Sequence, residues 1–425
     1  MASRSLEQLS SVISRNATAL SRELEARNIS SPTVRDIYAP NLSEIDSAAA
    51  TELANAAREL QALVQSPSQQ LNLLAFAYYD VISVGILLEF SIPELVPLEG
   101  AISLSELAEK VGLLEDKLAR IMRYAITNFV FSEPEPNYIA HTPLSAALVR
   151  DPQFATYLRL SLVDLAPVAV ALPQALRKWP MTESVTECAV NAAFDTNDSF
   201  FEWLSRDAAR QARFDQGMAG FSRGDGTAAG RSSNVDIAAY PWGTTLPSDA
   251  VVVDVGGGSG HVSKALAEAF PSFKITVQDR PEVIEAIDTP SPSNVAYKIH
   301  NFRDPQPILG ADVYLLRQVI HDWPDKEAVE ILRALIPALK PGSRVLVSEY
   351  VVPDPSELSR PGQLLEAKMI REMDLQMMAI LNAKERTRDE FASLFAAADP
   401  RLRFNAAYQV PEDRKVCILE AIWDP

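Results

Sequence analysis

Short apolar runs alternate with amphipathic stretches in the C-terminal half of the chain. Four runs have the length and the β-branched content of buried strands, at residues 250–253, 274–278, 312–316 and 344–351. The stretches between them repeat apolar residues at helical spacing, at residues 260–270, 281–287 and 326–339. This alternation predicts a doubly wound, mainly parallel sheet, which binds its ligands at the carboxyl ends of its strands.

Two further strand-like runs close the chain. They cover residues 403–410 and 415–423, and Pro411-Glu412-Asp413-Arg414 separates them. Two such runs joined by a short polar turn predict an antiparallel hairpin on the edge of the sheet. We therefore predict an α/β, Rossmann-like domain over residues 246–425 that ends in an antiparallel hairpin.

Helical spacing dominates the part of the chain before this domain. Residues 1–68 predict an amphipathic helical arm, and residues 151–245 predict a helical connector that ends at Tyr240-Pro241-Trp242-Gly243. Between them, Ser103 is placed to cap the first of two amphipathic helices, and strand-like residues 129–131 and 138–140 follow. A helix pair followed by two short strands is typical of a winged helix, which we predict for residues 69–150.

The net charge restricts what this winged helix can do. The chain carries a formal net charge of −17 with a sequence pI near 4.8, and this charge repels phosphate backbones. The second predicted helix offers only Lys117, Arg120 and Arg123 as cations for contacting DNA. We therefore expect no nucleic-acid partner and favour a role in dimerisation or as a substrate lid.

Cysteine content and hydropathy bear on the location of the protein. The two cysteines, Cys188 and Cys417, fit neither a disulfide framework nor a structural zinc site, which is typical of a reducing cytosol. The N-terminus lacks the apolar segment of a signal peptide, and no later run of about 18 apolar residues predicts a membrane span. We expect a cytoplasmic protein with no membrane partner.

A glycine-rich turn, Asp254-Val255-Gly256-Gly257-Gly258-Ser259-Gly260, follows the first strand of the C-terminal domain. Its glycines supply the freedom that a backbone needs at positive φ or close to a ligand. The dinucleotide fingerprint G-x-G-x-x-G would require a glycine at position 261, where this chain has His261. Asp254 would repel a pyrophosphate but suits a ligand with an ammonium and a sulfonium group. The turn therefore favours S-adenosylmethionine over NAD.

Asp279 and His321 follow other strands of the same domain. A carboxylate at the end of the second strand can accept hydrogen bonds from ribose hydroxyls, although Asp279 could also cap the helix near Pro281. His321 lies on the loop after the strand at 312–316, at the edge of the sheet that also carries Asp254 and Asp279. A structural role is at least as plausible for the other histidines, His141, His261 and His300.

Five segments in this order resemble the S-adenosylmethionine-dependent O-methyltransferases of plant caffeate type and their fungal natural-product relatives. They are the glycine turn, Gln-Asp-Arg-Pro-Glu-Val at 278–283, His-Asp-Trp at 321–323, Ser-Glu-Tyr-Val-Val-Pro at 348–353 and Ala-Lys-Glu-Arg-Thr at 383–387. The resemblance covers about residues 70–425. It implies a winged-helix dimerisation domain and a homodimer in which the partner subunit contributes to the substrate pocket.

The resemblance implies roles for three residues in catalysis. Carried over by position, His321 is the general base, and Glu349 and Glu385 are the acidic pair that flanks it. A phenol, with a pKa of about 10, is a poor nucleophile until it loses its proton. Imidazole, with a pKa of about 6.5, can accept that proton if a carboxylate stabilises the imidazolium. The phenolate can then attack the sulfonium methyl group in line, and this scheme requires no metal.

The resemblance also implies binding residues. Trp323 corresponds to a residue that stacks on adenine, although it could also be a core aromatic. The implied cofactor-binding residues are Asp254, Gly256, Gly258, Gly260, Asp279, Asn301, Phe302, Arg317 and Trp323. The implied acceptor-binding residues, most of which core packing would also explain, are Met218, Phe221, Asp322, Met377 and Met378.

The chain departs from the family pattern at three places. Asn301 replaces the usual acid, Gln318 stands where relatives often have tryptophan, and the loop before Lys384 lacks the common glycine pair. These departures affect a cofactor contact and the shape of the pocket, and they leave the implied base in place.

Two other functions are consistent with parts of this sequence. An enzyme can keep this scaffold and cofactor yet catalyse a pericyclic rearrangement or a dehydration, but such an enzyme need not retain His321, Glu349 and Glu385. A non-catalytic module that uses the winged helix would need a basic surface on residues 116–124, which the sequence does not supply. We therefore predict an O-methyltransferase that acts on a phenolic hydroxyl of an aromatic small molecule in secondary metabolism.

Overall fold

The computed structural model describes residues 4–223, 237–288, 290–353, 364–410 and 413–425. Internal contacts divide the chain into two compact units. The first contains Met1–Pro167, Leu204–Gly230 and Ser359–Leu365, and the second contains Val168–Trp203, Arg231–Leu358 and Glu366–Pro425. The four-segment division made from the sequence, with boundaries near 68, 150 and 245, stays a prediction.

The first unit is mainly helical and contains the winged helix. Its helices are Leu6–Ala26, Leu42–Ile45, Ser47–Val64, Pro67–Phe76, Tyr78–Glu89, Ile92–Leu95, Leu104–Val111, Glu115–Thr127, Pro143–Arg150, Pro152–Arg159 and Ala208–Arg223, with a π-helical turn at Leu160–Asp164. Three short strands, β1 (Ile102–Ser103), β2 (Ser132–Glu135) and β3 (Tyr138–Ala140), form a sheet in the order β1-β3-β2. The helix pair packs on this sheet through a core that includes Leu107, Leu118, Met122, Phe131 and Ile139.

The strand predicted at residues 129–131 is wrong. Phe129 and Phe131 have φ angles of 59° and 138°, so this segment is a turn, and β2 begins at Ser132. The Phe131 side chain is buried, and its ring lies 5.2 Å from that of His141. The apolar residues at 129–131 therefore form a partly buried turn. The spacing of apolar residues does not distinguish such a turn from a short strand.

The second unit is built on a seven-stranded sheet. Its strands are β4 (Val251–Val255), β5 (Lys274–Asp279), β6 (Val295–Ile299), β7 (Val313–Arg317), β8 (Arg344–Tyr350), β9 (Leu402–Val410) and β10 (Asp413–Trp423). They lie in the order β6-β5-β4-β7-β8-β10-β9, with β4 to β8 parallel to one another and β10 antiparallel to both β8 and β9. The predicted Rossmann-like sheet with its C-terminal hairpin is confirmed.

The second unit also contains helices. They are Ala166–Lys178, which begins at the boundary between the units, Ala189–Phe194, Phe200–Ser205, Trp242–Thr245, His261–Ala269, Pro281–Glu285, Asp325–Leu335, Leu364–Leu381 and Arg388–Ala398, with 3₁₀ turns at Ile320–Asp322 and Ile336–Ala338. Alternate strand residues face two separate cores. Val253, Tyr314 and Val347 pack with the helices Asp325–Leu335 and Arg388–Ala398. Val252, Leu315 and Leu346 pack on the opposite face with the helix His261–Ala269. The central strands are therefore buried on both faces.

The register of the parallel strands brings four chain segments to one edge of the sheet. Val255 pairs with Gln278, Asp254 with Leu315, and Arg317 with Ser348. The loops that leave β4, β5, β7 and β8 at their carboxyl ends therefore start close together. These loops and strand ends contain the glycine turn, Asp279, the His321 segment and Glu349.

Two helical stretches of the chain are unusually apolar. Pro67–Glu89 and Pro152–Lys178 have the length and composition of a membrane-crossing helix, with mean hydropathies of 1.8 and 1.5, and about a fifth of each window is buried (22%). The sequence predicts no membrane span in either stretch because polar residues interrupt their apolar positions. Ala77 divides the first stretch into two helices, and the second contains a π-helical turn and Pro173. Helices that pack against another protein surface share this composition, so it is weak evidence for a membrane.

Candidate functional site

The glycine turn adopts a conformation that favours glycine. Gly256, Gly258 and Gly260 have φ angles of 73°, 59° and 76°, in the left-handed region. A β-carbon at Gly256 would lie 2.9 Å from Val319 Cγ2, and one at Gly260 would lie 2.8 Å from Tyr297 Oη. A β-carbon at Gly258 would meet no described atom within 4 Å. The turn is therefore packed at two glycines and open at the third.

Most backbone N–H groups of this turn are already hydrogen-bonded within the protein. Gly256 and Gly257 both donate to the Gln278 carbonyl, at 2.8 and 3.2 Å. Gly258 donates to Asp279 Oδ2 at 2.8 Å, and Gly260 donates to the Gly257 carbonyl at 3.0 Å. A pyrophosphate needs such donors free, so this turn fits a nucleoside without phosphates better than a dinucleotide.

Asp254 supports the turn from behind. It is buried, and its Oδ2 accepts a 2.6 Å hydrogen bond from Ser263 Oγ on the following helix. A β-carbon at Gly257 would lie 2.5 Å from Asp254 Cγ, so the carboxylate packs directly under the turn. Sequence analysis missed Ser263. Direct contact between Asp254 and a cationic cofactor stays a prediction.

Two aromatic rings lie beside the turn. Phe302 and Trp323 meet edge to face, with their centroids 5.9 Å apart, and a β-carbon at Gly256 would lie 3.8 Å from the Phe302 ring. The Arg303 guanidinium lies 4.3 Å from the centre of the Trp323 ring. Asn301 is exposed, and its Oδ1 accepts from the Arg303 N–H at 3.1 Å. Aromatic rings near a half-buried carboxylate, here Asp279, suit the adenine and the ribose of a nucleoside.

Arg317 and Gln318 turn the chain from β7 toward His321. Gln318 has a φ of 52°, which is strained for a residue with a side chain, and its N–H donates to the Ser348 carbonyl at 3.1 Å. Arg317 Nη1 donates to Gln318 Oε1 at 3.1 Å. This residue pair therefore sets the path of the segment that carries the candidate base.

His321 lies in the short 3₁₀ turn Ile320–Asp322 and is buried between carboxylates. Its Nδ1 is 2.8 Å from Glu385 Oε1, a hydrogen-bond distance, and 3.9 Å from Glu349 Oε2. Its Nε2 lies 3.5 Å from Asp322 Oδ1. The fold therefore brings together the three residues implied as catalytic, along with Asp322.

The two glutamates hold the histidine in different ways. Glu385 bonds the imidazole itself, which fixes the orientation of the ring. Glu349 Oε1 accepts hydrogen bonds from the backbone N–H groups of Val319 and Ile320, both at 3.0 Å, and of His321 at 3.4 Å. Glu349 therefore fixes the backbone that carries the ring, and its charge acts on the ring from a longer distance.

The carboxylates also change the protonation of His321. Burial lowers the pKa of the imidazole, but the charges of Glu349, Glu385 and Asp322 outweigh burial and hold that pKa well above its usual range. Burial raises the pKa of the Asp322 carboxyl to about 6, while His321 opposes this effect. The site therefore strongly stabilises a protonated imidazole.

The same three side chains also have a spacing that could hold a divalent ion. One ligand atom each from His321, Glu349 and Glu385 lies within 4.8 Å of the other two. The 2.8 Å hydrogen bond between His321 Nδ1 and Glu385 already joins two of these atoms. This arrangement suits proton transfer by His321 through its other nitrogen, Nε2.

The implied acceptor-binding residues fall in both compact units. Met377 is buried and Met378 half-buried near the end of the helix Leu364–Leu381, just before the loop that carries Glu385. Asn382, with a φ of 52°, ends this helix and takes the left-handed position that glycine often fills. Met218 is half-buried on the helix Ala208–Arg223 of the first unit. Phe221 lies on the same helix, and its side chain is outside the described residues.

The fold and these loops define a nucleoside-binding transferase of the methyltransferase class, and comparisons identify its family. A family model described as an O-methyltransferase domain matches residues 176–399. The chlorophenol O-methyltransferase of Trichoderma longibrachiatum is 38% identical over 377 residues, 87% of this chain and 79% of that protein. O-methyltransferase VdtC of Byssochlamys spectabilis is 36% identical over 92% of this chain and 90% of that protein. The chain belongs to the O-methyltransferase family.

Solved structures share this fold, and one of them holds SAH. A variant of LepI in complex with SAH and a substrate analogue is 26% identical with a TM-score of 0.76, over 90% of this chain and 96% of that one. The mitomycin 7-O-methyltransferase MmcR is 27% identical with a TM-score of 0.69, over 84% of this chain and 97% of that one. The protein is an S-adenosylmethionine-dependent O-methyltransferase.

Proposed function

We propose that the protein methylates a phenolic hydroxyl of an aromatic small molecule in secondary metabolism, with His321 as the general base. The observation that carries this proposal is the buried His321, bonded at 2.8 Å to Glu385 and faced by Glu349. With Nδ1 held by Glu385, Nε2 is the nitrogen left to accept a proton from an acceptor. The names of the relatives support methyl transfer, and the name of the chlorophenol O-methyltransferase supports a phenol.

In this proposal, named residues of the second unit bind the cofactor, remove the proton and contact the acceptor. Asp279 binds the ribose, and Trp323 with Phe302 binds the adenine of S-adenosylmethionine, which supplies an electrophilic methyl group. His321 removes the phenolic proton, and Glu385 stabilises the imidazolium that forms. The two methionines, Met377 and Met378, offer a soft apolar surface to a flat acceptor, and contacts of Met218 and Phe221 with the acceptor stay a prediction.

A second function is supported by one comparison. A solved pericyclic reaction enzyme shares the fold with a TM-score of 0.77 at 24% identity. In that alternative the protein binds S-adenosylmethionine, but the methyl group stays in place and the acceptor rearranges or loses water. The buried base with its two carboxylates favours methyl transfer, because a rearrangement has no need to remove a phenolic proton.

A product assay separates these two functions. Purified protein is incubated with methyl-labelled S-adenosylmethionine and a panel of phenols that begins with chlorophenols, and the products are identified by mass spectrometry. Methyl transfer predicts label in a phenyl methyl ether and release of S-adenosylhomocysteine. Tight cofactor binding with unlabelled, rearranged or dehydrated products would contradict methyl transfer and support the alternative.

We also propose that the protein is a homodimer that associates through the apolar helices Pro67–Phe76 and Tyr78–Glu89. No residue of the described helix Pro67–Phe76 is buried, and Leu71, Leu74 and Phe76 are each more than half exposed, at 66%, 70% and 57%. A groove of about 430 Å³ beside them is lined mainly by apolar side chains, including Tyr79, Ile82, Ile86, Ile121 and Tyr124. A second copy of the chain would cover this surface.

A further inference from the structure

Arg386 is completely buried beside the segment that carries His321. Its guanidinium donates to the Ile320 carbonyl at 3.0 Å and to the Trp323 carbonyl at 2.7 Å. These two carbonyls flank His321 and Asp322 in the chain. The Arg386 side chain therefore hydrogen-bonds the backbone on both sides of the candidate base.

The charge of Arg386 is balanced by Asp325, at the start of the next helix. Asp325 Oδ1 accepts from Arg386 Nε at 2.9 Å and from Nη2 at 2.8 Å. Asp325 Oδ2 pairs with Lys384 at 3.0 Å, and Lys384 also pairs with Glu390. Arg386 suits this position because its planar fork can serve two carbonyls and a carboxylate at once, which a lysine ammonium cannot.

The backbone of Arg386 also connects the two glutamates that face His321. Its carbonyl accepts from the Val352 N–H at 2.9 Å, and Val351 and Arg386 form a parallel β-bridge. Glu349 lies two residues before Val351, and Glu385 directly precedes Arg386. Asp374 Oδ1 fixes the Glu385 N–H at 3.0 Å. The separation between the two carboxylates therefore depends on this bridge.

We propose that Arg386 is the positioning residue of the reaction. It holds the His321 segment against the loop that carries Glu385, so that the bond between His321 and Glu385 forms in a fixed geometry. Arg386 acts through the segment that carries His321 and Trp323, since its own side chain is fully buried. The inference rests on the proposed function because it takes His321 as the base. The bond between His321 and Glu385 can nevertheless be measured without assaying the reaction.

The test uses Asp325→Ala, because Asp325 is half exposed and its removal loosens Arg386 without leaving a cavity in the core. Glu390→Gln is the matched control: it removes a charge that pairs with Lys384, while the amide oxygen can still accept from the Thr387 N–H. The readouts are kcat, the pH profile of kcat/KM, and the downfield proton NMR signal of His321 Nδ1–H, assigned by its loss in His321→Asn. We expect Asp325→Ala to lower kcat by roughly 10- to 100-fold, to shift the pH profile and to weaken the signal.

Glu390→Gln is expected to leave all three readouts unchanged. Arg386→Lys is a second variant. It keeps the positive charge but cannot donate to both carbonyls at once, so we expect a low kcat, as in Asp325→Ala. Equal kcat, pH profile and NMR signal in Asp325→Ala and Glu390→Gln would overturn the inference. If His321→Asn remains active while Asp325→Ala still weakens the signal, the proposed base is wrong and the positioning of His321 by Arg386 stands.

Discussion

At the scale of single residues, buried polar groups hold the side chains to which the proposal assigns chemistry. The structure brings His321, Glu349 and Glu385 together as the family resemblance implied. It adds Arg386, whose partners in the His321 segment are backbone carbonyls, and Ser263, which bonds Asp254. Arg386 stands in the 383–387 motif, but its contacts with backbone carbonyls leave no complementary residue type in the sequence, so the motif does not show its role.

Removing one carboxylate should change the pH dependence of the reaction. His321 can act as a base only when it is neutral, and its pKa is raised well above its usual range, so activity should increase with pH through that pKa. Glu385→Gln removes one of the charges that raise the pKa, while Glu349 and Asp322 remain. We expect the profile of kcat/KM to rise at lower pH and to reach a lower plateau, because the imidazolium is less stabilised.

Glu390→Gln is the control for this prediction, since Glu390 lies on the same part of the chain and bonds Lys384 rather than His321. Its pH profile should match that of the unmodified protein. An unchanged profile in Glu385→Gln would show that Glu385 does not set the protonation of the base.

Neighbouring glycines of the cofactor turn should respond differently to alanine. A β-carbon at Gly257 would collide with the buried Asp254 carboxylate, so Gly257→Ala should destabilise the fold by about 1–3 kcal/mol or more. A β-carbon at Gly258 meets open space, so Gly258→Ala should cost only about 1–2 kcal/mol for its left-handed backbone. Gly258→Ala should instead weaken the binding of S-adenosylmethionine, because that open space is where the nucleoside would lie.

Denaturant unfolding and calorimetric titration with the cofactor check this pair of variants. Gly257→Ala should be the less stable of the two variants. Gly258→Ala should bind the cofactor more weakly when affinity is compared for folded protein only. Full cofactor affinity in Gly258→Ala would place the nucleoside elsewhere.

At the scale of helices and strands, the spacing of apolar residues predicts the strands that are buried. It misses strands in which few residues are buried. β4, β7 and β8 are apolar on both faces, and all three were predicted within one or two residues. β6 was missed because Val295 is its only buried residue. The helix Leu364–Leu381 was missed because its apolar residues do not form one clear face. The predicted strand at 129–131 failed because a turn can be as apolar as a strand.

The C-terminal hairpin gives a prediction at this scale. Glu420 on β10 is fully buried and accepts from Tyr240 Oη at 2.6 Å, from Arg344, and from Tyr408 Oη at 3.2 Å. Glu420→Ala leaves Arg344 without its carboxylate and should lower the free energy of unfolding by about 3–5 kcal/mol. Tyr408→Phe, the milder comparison, should cost about 0.5–1.5 kcal/mol.

Chemical denaturation monitored by circular dichroism measures both changes. Equal and small effects of the two substitutions would show that the Glu420 cluster contributes little to holding the hairpin on the sheet.

At the scale of the whole molecule, the apolar surface of the first unit predicts self-association. Leu74→Asp places a charge where the proposed partner subunit packs, so the variant should sediment as a monomer in analytical ultracentrifugation. Leu309→Asp is the control, because Leu309 is equally exposed, at 72%, but belongs to the second unit. An unmodified protein that sediments as a monomer, or a Leu74→Asp variant that stays dimeric, would contradict the proposed interface.

Hydropathy marks Pro67–Glu89 as apolar, but neither hydropathy nor net charge distinguishes an exposed apolar surface from a core helix. The chain is strongly acidic as a whole, and the residues that form the apolar surface are spread over two helices interrupted by polar positions. Only their exposure in the folded unit distinguishes them from core residues of the same type.

The central claim is that His321 removes the proton of a phenol during methyl transfer. The most direct measurement compares the single-turnover rate of the unmodified protein with that of His321→Asn at saturating S-adenosylmethionine, with cofactor affinity measured in parallel. Our account predicts unchanged cofactor affinity and methyl transfer slower by about 10²- to 10⁴-fold in the variant. A variant that transfers the methyl group at the unmodified rate would contradict the account.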